Sequence, residues 1–168
     1  MTSVPTVTLN DGVQIPQLGF GVFQIDPAET QATVEKALEI GYRHIDTAKI
    51  YGNEAEVGAA LKASGIPRDE LFVTTKLWND DQGHDSTLKA FDTSLEKLGL
   101  DVLDLYLIHW PTPERDRYVD TWKAFEELQA DGRVRSIGVS NFRTQDLQRL
   151  ADEGLTTPSV NQIELHPT

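Results

Sequence analysis

The stretch GYRHIDTAKIYGNEAEVG, residues 41–58, passes from a short apolar strand into a polar loop and then into a helix. The strand, RHIDTA at 43–48, contains Asp46 near its end, where a charged side chain needs either a partner or solvent. A short apolar strand followed by a loop and an amphipathic helix is the unit from which parallel sheets are built. This stretch therefore predicts an α/β fold with polar residues at the carboxyl edge of a parallel sheet.

Units of the same kind follow one another along the chain from Gly19 onward. Asp26 and Pro27 are suited to the cap and the first residue of the first helix, and Gly41 to its end. Before Gly19, two extended runs flank Asp11 and Gly12, so residues 1–18 are predicted to contain a hairpin. We expect a single domain over residues 1–168, with six strands around 20–23, 43–48, 71–77, 103–110, 135–141 and 159–166.

Two architectures contain successive βαβ units: an open doubly wound sheet and a closed barrel of eight strands. The sequence has no GxGxxG after its first strand, so the usual dinucleotide fingerprint of the doubly wound fold is missing. The four histidines show neither an HExxH pattern nor close ligand spacing, and no catalytic metal is expected. The barrel is the better interpretation.

The composition excludes several classes of function. The chain of 168 residues has a net charge of −12, which disfavours nucleic acid and anionic membranes as partners. It has no cysteine, which suits a reducing compartment, and no apolar run of the roughly 20 residues that a membrane span needs. We expect a cytoplasmic protein with a small-molecule partner.

Four side chains at or near the predicted strand ends have complementary chemistry. A tyrosine such as Tyr51 is a poor acid near neutrality until a neighbouring ammonium, here Lys76, stabilises its phenolate. Asp46 would keep that lysine protonated, and the imidazole of His109 could hydrogen-bond to a carbonyl oxygen. Each residue alone also fits a structural role, but the set indicates acid catalysis on a carbonyl group.

The stretch at 41–58 closely resembles the region of the aldo-keto reductase family that carries its catalytic aspartate and tyrosine. Later segments resemble that family's later strands in the right order: TTKLW at 74–78, LYLIHWP at 105–111, RSIGVSNF at 135–142 and VNQIELHP at 160–167. The opening LNDGVQIPQLGFGVF at 9–23 is most similar to the bacterial 2,5-diketo-D-gluconate reductase branch. The resemblance implies a (β/α)8 TIM-barrel fold, here truncated after the sixth strand, with an N-terminal hairpin.

The resemblance also implies NADPH-dependent reduction of an aldehyde, a ketone or a sugar-derived diketone, with Tyr51 as the proton donor. The implied catalytic residues are Asp46, Tyr51, Lys76 and His109. The residues implied for cofactor binding are Gly21, Val22, Asp46, Ser140, Asn141 and Gln162. Those implied for substrate binding are Phe23, Trp78, His109 and Trp110, although the aromatic residues also fit ordinary core packing.

Two features depart from the family pattern. A complete barrel has eight strands and about 250 residues, so a sheet of six strands is expected to leave open edges that favour self-association. Lys49 stands in the loop before Tyr51, where a small or neutral residue is expected. Two other hypotheses stay open: a noncatalytic half-barrel that acts as a binding or assembly module, and a sugar-isomerising barrel with Glu164 or Asp46 as its base.

Overall fold

The computed structural model describes residues 4–166, which form two sheets and five α-helices. The strands are β1 (Thr6–Thr8), β2 (Gln14–Pro16), β3 (Gly19–Gly21), β4 (His44–Asp46), β5 (Phe72–Leu77), β6 (Leu103–Ile108), β7 (Val134–Ser140) and β8 (Asn161–Gln162). The helices are α1 (Pro27–Ile40), α2 (Glu54–Ala63), α3 (His84–Leu98), α4 (Tyr118–Ala130) and α5 (Thr144–Asp152). None of the helices within residues 4–166 is both long and apolar enough to cross a membrane.

The larger sheet contains six parallel strands in chain order, from β3 to β8. Each strand after β3 pairs in parallel with the one before it, and an α-helix lies between every two successive strands. A doubly wound sheet would reverse its strand order at some point, and the six described strands do not. The sheet is therefore a curled half-barrel of the TIM type, as predicted.

Helix boundaries follow from local chemistry. Asp26 caps α1 by accepting a hydrogen bond from the backbone N–H of Ala28 at 2.8 Å, and Pro27 opens the helix. Gly41 ends it in the left-handed conformation with a φ of 118°, as predicted. The apolar stripe of each helix packs on the outer face of the sheet. Fully buried members of this layer include Val34, Phe91, Trp122 and Phe125.

The inner face of the sheet is covered at its amino-terminal end by the hairpin of β1 and β2. Phe72, Leu105 and Leu107 form a small apolar cluster there, and Val13 and Ile15 of the hairpin pack against it. Asp11 in the hairpin turn accepts hydrogen bonds from Ser136 at 2.6 Å and Ser159 at 2.8 Å. The opposite end of the half-barrel, where the strands finish, is left accessible.

Strand boundaries differ from the prediction at the two edges of the sheet. The first strand covers Gly19–Gly21 rather than 20–23, so Phe23 lies in the loop that follows it. The sixth covers only Asn161–Gln162 rather than 159–166. Both strands pair on one side only among the described residues, so fewer ladder contacts define their ends.

Candidate active site

The polar residues that the sequence placed at strand ends lie together at the carboxyl edge of the half-barrel. They come from different strands, and the parallel order of the sheet brings them to one rim. Asp46 ends β4, Lys76 lies one residue before the end of β5, His109 directly follows β6, Ser140 ends β7 and Gln162 ends β8.

Lys76 and Asp46 form a buried ion pair. The side chain of Lys76 is only 1% exposed, and its Nζ donates to Oδ1 of Asp46 at 2.5 Å and to the carbonyl oxygen of Thr47 at 3.0 Å. The other carboxylate oxygen of Asp46 accepts from Nε2 of Gln162 at 2.8 Å. A buried cation is tolerated only with such partners, and Asp46 and Thr47 hold Lys76 of β5 against the end of β4.

Tyr51 lies in a single 3₁₀ turn, Lys49–Tyr51, that follows β4. Its hydroxyl oxygen is 3.5 Å from Nζ of Lys76. Its ring packs against Phe23, with centroids 5.0 Å apart, and edge-on against His109 at 5.8 Å. The phenol therefore lies where the lysine, the imidazole and an aromatic wall meet.

The acidity of Tyr51 differs from the expectation based on Lys76 alone. Burial, together with the nearby Asp46 carboxylate, raises the pKa of the Tyr51 phenol to about 12. Asp46 is bonded directly to Lys76, so its negative charge offsets the ammonium that was expected to favour the phenolate. In this structure Tyr51 is therefore a protonated phenol at neutral pH, and its hydroxyl oxygen accepts the long contact from Lys76.

His109 is held by its backbone and lies in an environment that disfavours its cation. Its N–H donates to the carbonyl of Leu77 at 3.2 Å, and its carbonyl accepts from Nδ2 of Asn141 at 3.1 Å. Burial first and the nearby charge of Lys76 second, partly offset by Asp46, lower the pKa of the imidazole to about 4. Nδ1 is buried without a hydrogen-bond partner among residues 4–166. The ring is therefore neutral at neutral pH.

An open cleft of about 620 Å³ lies beside these groups. All three aromatic residues predicted for the substrate site line it, and Phe23 and Trp110 are 63% and 45% exposed, so they are not core residues. The cleft is lined by Phe23, Ile50, Tyr51, Trp78, His109, Trp110, Ser140, Asn141, Gln162, Ile163 and Glu164.

The residues predicted for cofactor binding divide into two groups. Ser140, Asn141 and Gln162 line the cleft and are bonded to one another, since Oγ of Ser140 donates to the carbonyl of Gln162 at 2.9 Å and Nδ2 of Asn141 donates to Oγ of Ser140 at 3.1 Å. Gly21, Val22 and Asp46 do not line it. Val22 is completely buried, its N–H donates to the carbonyl of Asp46 at 3.1 Å, and its carbonyl accepts from the N–H of Ile25 at 3.2 Å.

Sequence reasoning missed two buried amide side chains that support the site. Asn53 is completely buried, accepts from Oγ1 of Thr47 at 2.8 Å and donates to the carbonyl of Val22 at 3.1 Å, so it fixes the loop after β4. Gln82 donates to the carbonyl of Trp110 at 2.7 Å. Because Asn and Gln are common in exposed loops, nothing in the sequence marked these two as buried.

Parallel strands in chain order, with a polar site at their carboxyl ends, define the class of β/α-barrel proteins. The family model described as the aldo/keto reductase family matches residues 17–168. The chain belongs to the aldo/keto reductase family.

Individual relatives agree with this assignment. The chain is 58% identical over 167 residues to the methylglyoxal reductase DkgA of Yersinia pestis. The match covers 99% of this chain and 60% of the relative. That similarity places it beside the bacterial 2,5-diketo-D-gluconate reductase branch, as the sequence indicated.

Solved structures of the family superimpose closely on the half-barrel. An aldo/keto reductase from Brucella melitensis is 64% identical with a TM-score of 0.95, and the match covers 98% of this chain and 64% of that one. The Bombyx mori aldo-keto reductase AKR2E4, solved in complex with NADP, is 41% identical with a TM-score of 0.91, over 100% and 60% of the two chains. The chain thus spans about 60% of the length of the curated relatives it matches.

Proposed function

We propose that this chain carries the catalytic machinery of an NADPH-dependent reductase of small carbonyl compounds, with Tyr51 as the proton donor. The observation that supports this most directly is that Tyr51 and His109 line an open cleft, while Nζ of Lys76, which is paired with Asp46, lies 3.5 Å from the Tyr51 hydroxyl. The name of the Yersinia pestis relative suggests dicarbonyls such as methylglyoxal as the substrate class. The absence of cysteine supports a cytoplasmic location.

The cleft has the features that a nicotinamide ring requires. The ring is flat and carries a carboxamide, which needs both hydrogen-bond donors and acceptors. Asn141 and Gln162 offer amide side chains on one wall, and Phe23 and Trp110 offer exposed aromatic surface on another. We therefore assign Ser140, Asn141 and Gln162 to the carboxamide. When bound, NADPH supplies the hydride that the carbonyl carbon receives.

The protein's own groups account for the proton. The neutral phenol of Tyr51 donates its proton to the carbonyl oxygen as negative charge develops there. Lys76, 3.5 Å away, stabilises the phenolate that this step leaves, and Asp46 keeps the lysine charged and oriented. A neutral His109 donates a hydrogen bond without competing for the proton, and Trp78 and Trp110 restrict water around the reacting groups.

The test is turnover of methylglyoxal by the purified 168-residue chain, followed by the loss of NADPH absorbance. Tyr51→Phe is expected to lower kcat by about two to four orders of magnitude, because the phenyl ring keeps the packing but has no proton to give. Cofactor binding, measured by quenching of tryptophan fluorescence, should persist.

Tyr42→Phe is the matched control because it also removes a phenol hydroxyl. The ring of Tyr42 packs against Phe20, and the residue does not line the cleft. Equal turnover by the wild type and Tyr51→Phe would contradict the proposal and favour the noncatalytic alternative.

A further inference from the structure

Lys49, the residue that departs from the family pattern, forms an ion pair with Asp81. Its Nζ contacts Oδ2 of Asp81, which lies in the loop after β5. The two side chains are 34% and 21% exposed, so the pair is partly sheltered from solvent. Ion pairs that are partly buried are screened less by salt than exposed ones. This one joins the turn that carries Tyr51 to the neighbouring loop.

The Tyr51 turn has few other constraints. Its backbone bonds run from the N–H of Tyr51 to the carbonyl of Ala48 at 3.0 Å and from that of Gly52 to the carbonyl of Lys49 at 3.2 Å. Ile50, at its centre, is 47% exposed. The Tyr51 hydroxyl itself has a long contact of 3.5 Å with Lys76. Apart from that long contact, the polar link from this turn to another element in the described part of the chain is the side chain of Lys49.

Asp81 is a well-supported anchor for this link. It closes the 3₁₀ turn Asn79–Asp81, and its carbonyl accepts from Oγ1 of Thr87 on α3 at 3.4 Å. The next residue, Gln82, is buried, donates to the carbonyl of Trp110 at 2.7 Å and accepts from Oγ1 of Thr112 at 3.0 Å. The loop that carries Asp81, the partner of Lys49, is thus connected to the segment that directly follows His109.

We propose that the Lys49–Asp81 ion pair is a positioning contact that sets the place of the Tyr51 hydroxyl relative to Lys76 and the cleft. The proposal rests on the function proposed above. The pair acts through position and not through the charge of Lys49, because that charge is opposed by Asp81. Burial and Asp46 are the causes that act on the pKa of Tyr51.

The experiment compares Lys49→Met, Asp81→Asn and the exchanged pair Lys49→Glu with Asp81→Lys. Each single variant is expected to lower kcat about tenfold, the order of loss that follows from misplacing a reacting group by a fraction of an ångström. The factor should be the same at every pH, and the Kd for NADPH should not change. The exchanged pair should recover most of the loss.

Lys36→Met is the control, since it removes an exposed ion pair with Glu39 on α1 and should leave kcat unchanged. Lys49→Arg keeps the charge and is expected to stay close to the wild type. An unchanged kcat in Lys49→Met, an exchanged pair no better than the single variants, or a shift of the pH profile would each overturn the positioning role.

A second readout does not depend on turnover. The Cζ resonance of Tyr51, assigned with ¹³C-tyrosine by its absence in Tyr51→Phe, should move in Lys49→Met and return in the exchanged pair. An inactive wild type would contradict the proposed function alone, while a Tyr51 resonance that stays in place in Lys49→Met would overturn the positioning role whatever the activity.

Discussion

His109 and Tyr51 lie side by side, and burial shifts both toward their neutral forms. It lowers the pKa of the imidazole to about 4 and raises the pKa of the phenol to about 12. At any pH between these two values, Tyr51 is a protonated phenol and the ring of His109 is uncharged. Among these four groups the ion pair of Asp46 and Lys76 carries the formal charges, and the two that line the cleft, Tyr51 and His109, are neutral.

The neutral state of His109 is directly testable. In the folded chain its ¹³C-labelled ring should titrate near pH 4, whereas an imidazole in its ordinary environment titrates near 6.5. Because the unfolded state binds the proton more readily, the contribution of this residue to stability is present above pH 6.5 and is lost as the pH falls toward 4.

Urea unfolding across that range should therefore show a falling free energy of unfolding, with a shallower fall in His109→Gln. His44 acts in the same direction, since burial lowers its pKa too, and some pH dependence should remain in the variant. A His109 ring that titrates near 6.5 would show that its surroundings are more hydrated than the structure indicates.

For single residues, the sequence indicated which side chains lie at strand ends but not how deeply they are buried. Asp46, Lys76 and His109 could be placed at one rim because parallel strands finish together, while their catalytic roles stay predictions. Sequence could not show that Asp46 offsets Lys76 beside Tyr51, because that depends on distances between side chains 30 residues apart. It also could not show that Gln82 is buried.

Helices α2 and α3 approach each other closely at Gly58. A methyl group at this position would lie 2.5 Å from the carbonyl oxygen of Leu98 and 2.7 Å from its carbon, and both are backbone atoms that cannot move aside cheaply. Helix propensity favours alanine over glycine by about 1 kcal/mol, while overpacking costs about 1–3 kcal/mol. We expect the backbone contact to outweigh the helix propensity, so that the net effect of Gly58→Ala on stability is unfavourable.

Gly58→Ala should therefore lower the free energy of unfolding by up to about 2 kcal/mol, measured by urea denaturation. Ala59→Gly, at the exposed neighbouring position of the same helix, measures the propensity contribution separately. A more stable Gly58→Ala variant would mean that the two helices separate easily at this point.

The elements themselves were largely predictable, because caps and glycines mark helix ends locally. Asp26, Pro27 and Gly41 gave the limits of α1, as the structure confirms. The edge strands were predicted less well. Their length depends on which neighbours pair with them, and the alternating sequence SVNQIELH at 159–166 contains no information about that.

For the molecule as a whole, the notable surfaces are the two edges of the half-barrel, where backbone hydrogen-bonding groups of the described strands are unpaired on one side. β3 and β8 each have a partner on one side only, and just beyond β8 the side chains of Ile163 and Leu165 are 57% and 81% exposed. Unpaired strand edges with exposed apolar side chains favour association between chains. We expect the 168-residue chain to self-associate.

Sedimentation of the purified chain should show a mass that rises with concentration, and Leu165→Lys should reduce this rise. Ile40→Lys is the control, because Ile40 is 64% exposed at the end of α1 and away from the sheet edges. A single monomeric species at every concentration, with or without the Leu165 change, would contradict the expectation.

The hairpin of β1 and β2 has a consequence for the order of events during synthesis. It precedes the parallel sheet in the chain, yet Asp11 bonds to Ser136 and Ser159, which lie 125 and 148 residues further on. Asn10 likewise donates to the carbonyl of Pro158 at 3.3 Å. Each strand from β4 to β8 can pair with a predecessor that has already left the ribosome. The hairpin can form these hydrogen bonds only after the segment around Ser159 has been synthesised. Its complete docking therefore comes late, when the last described strand of the half-barrel is being made.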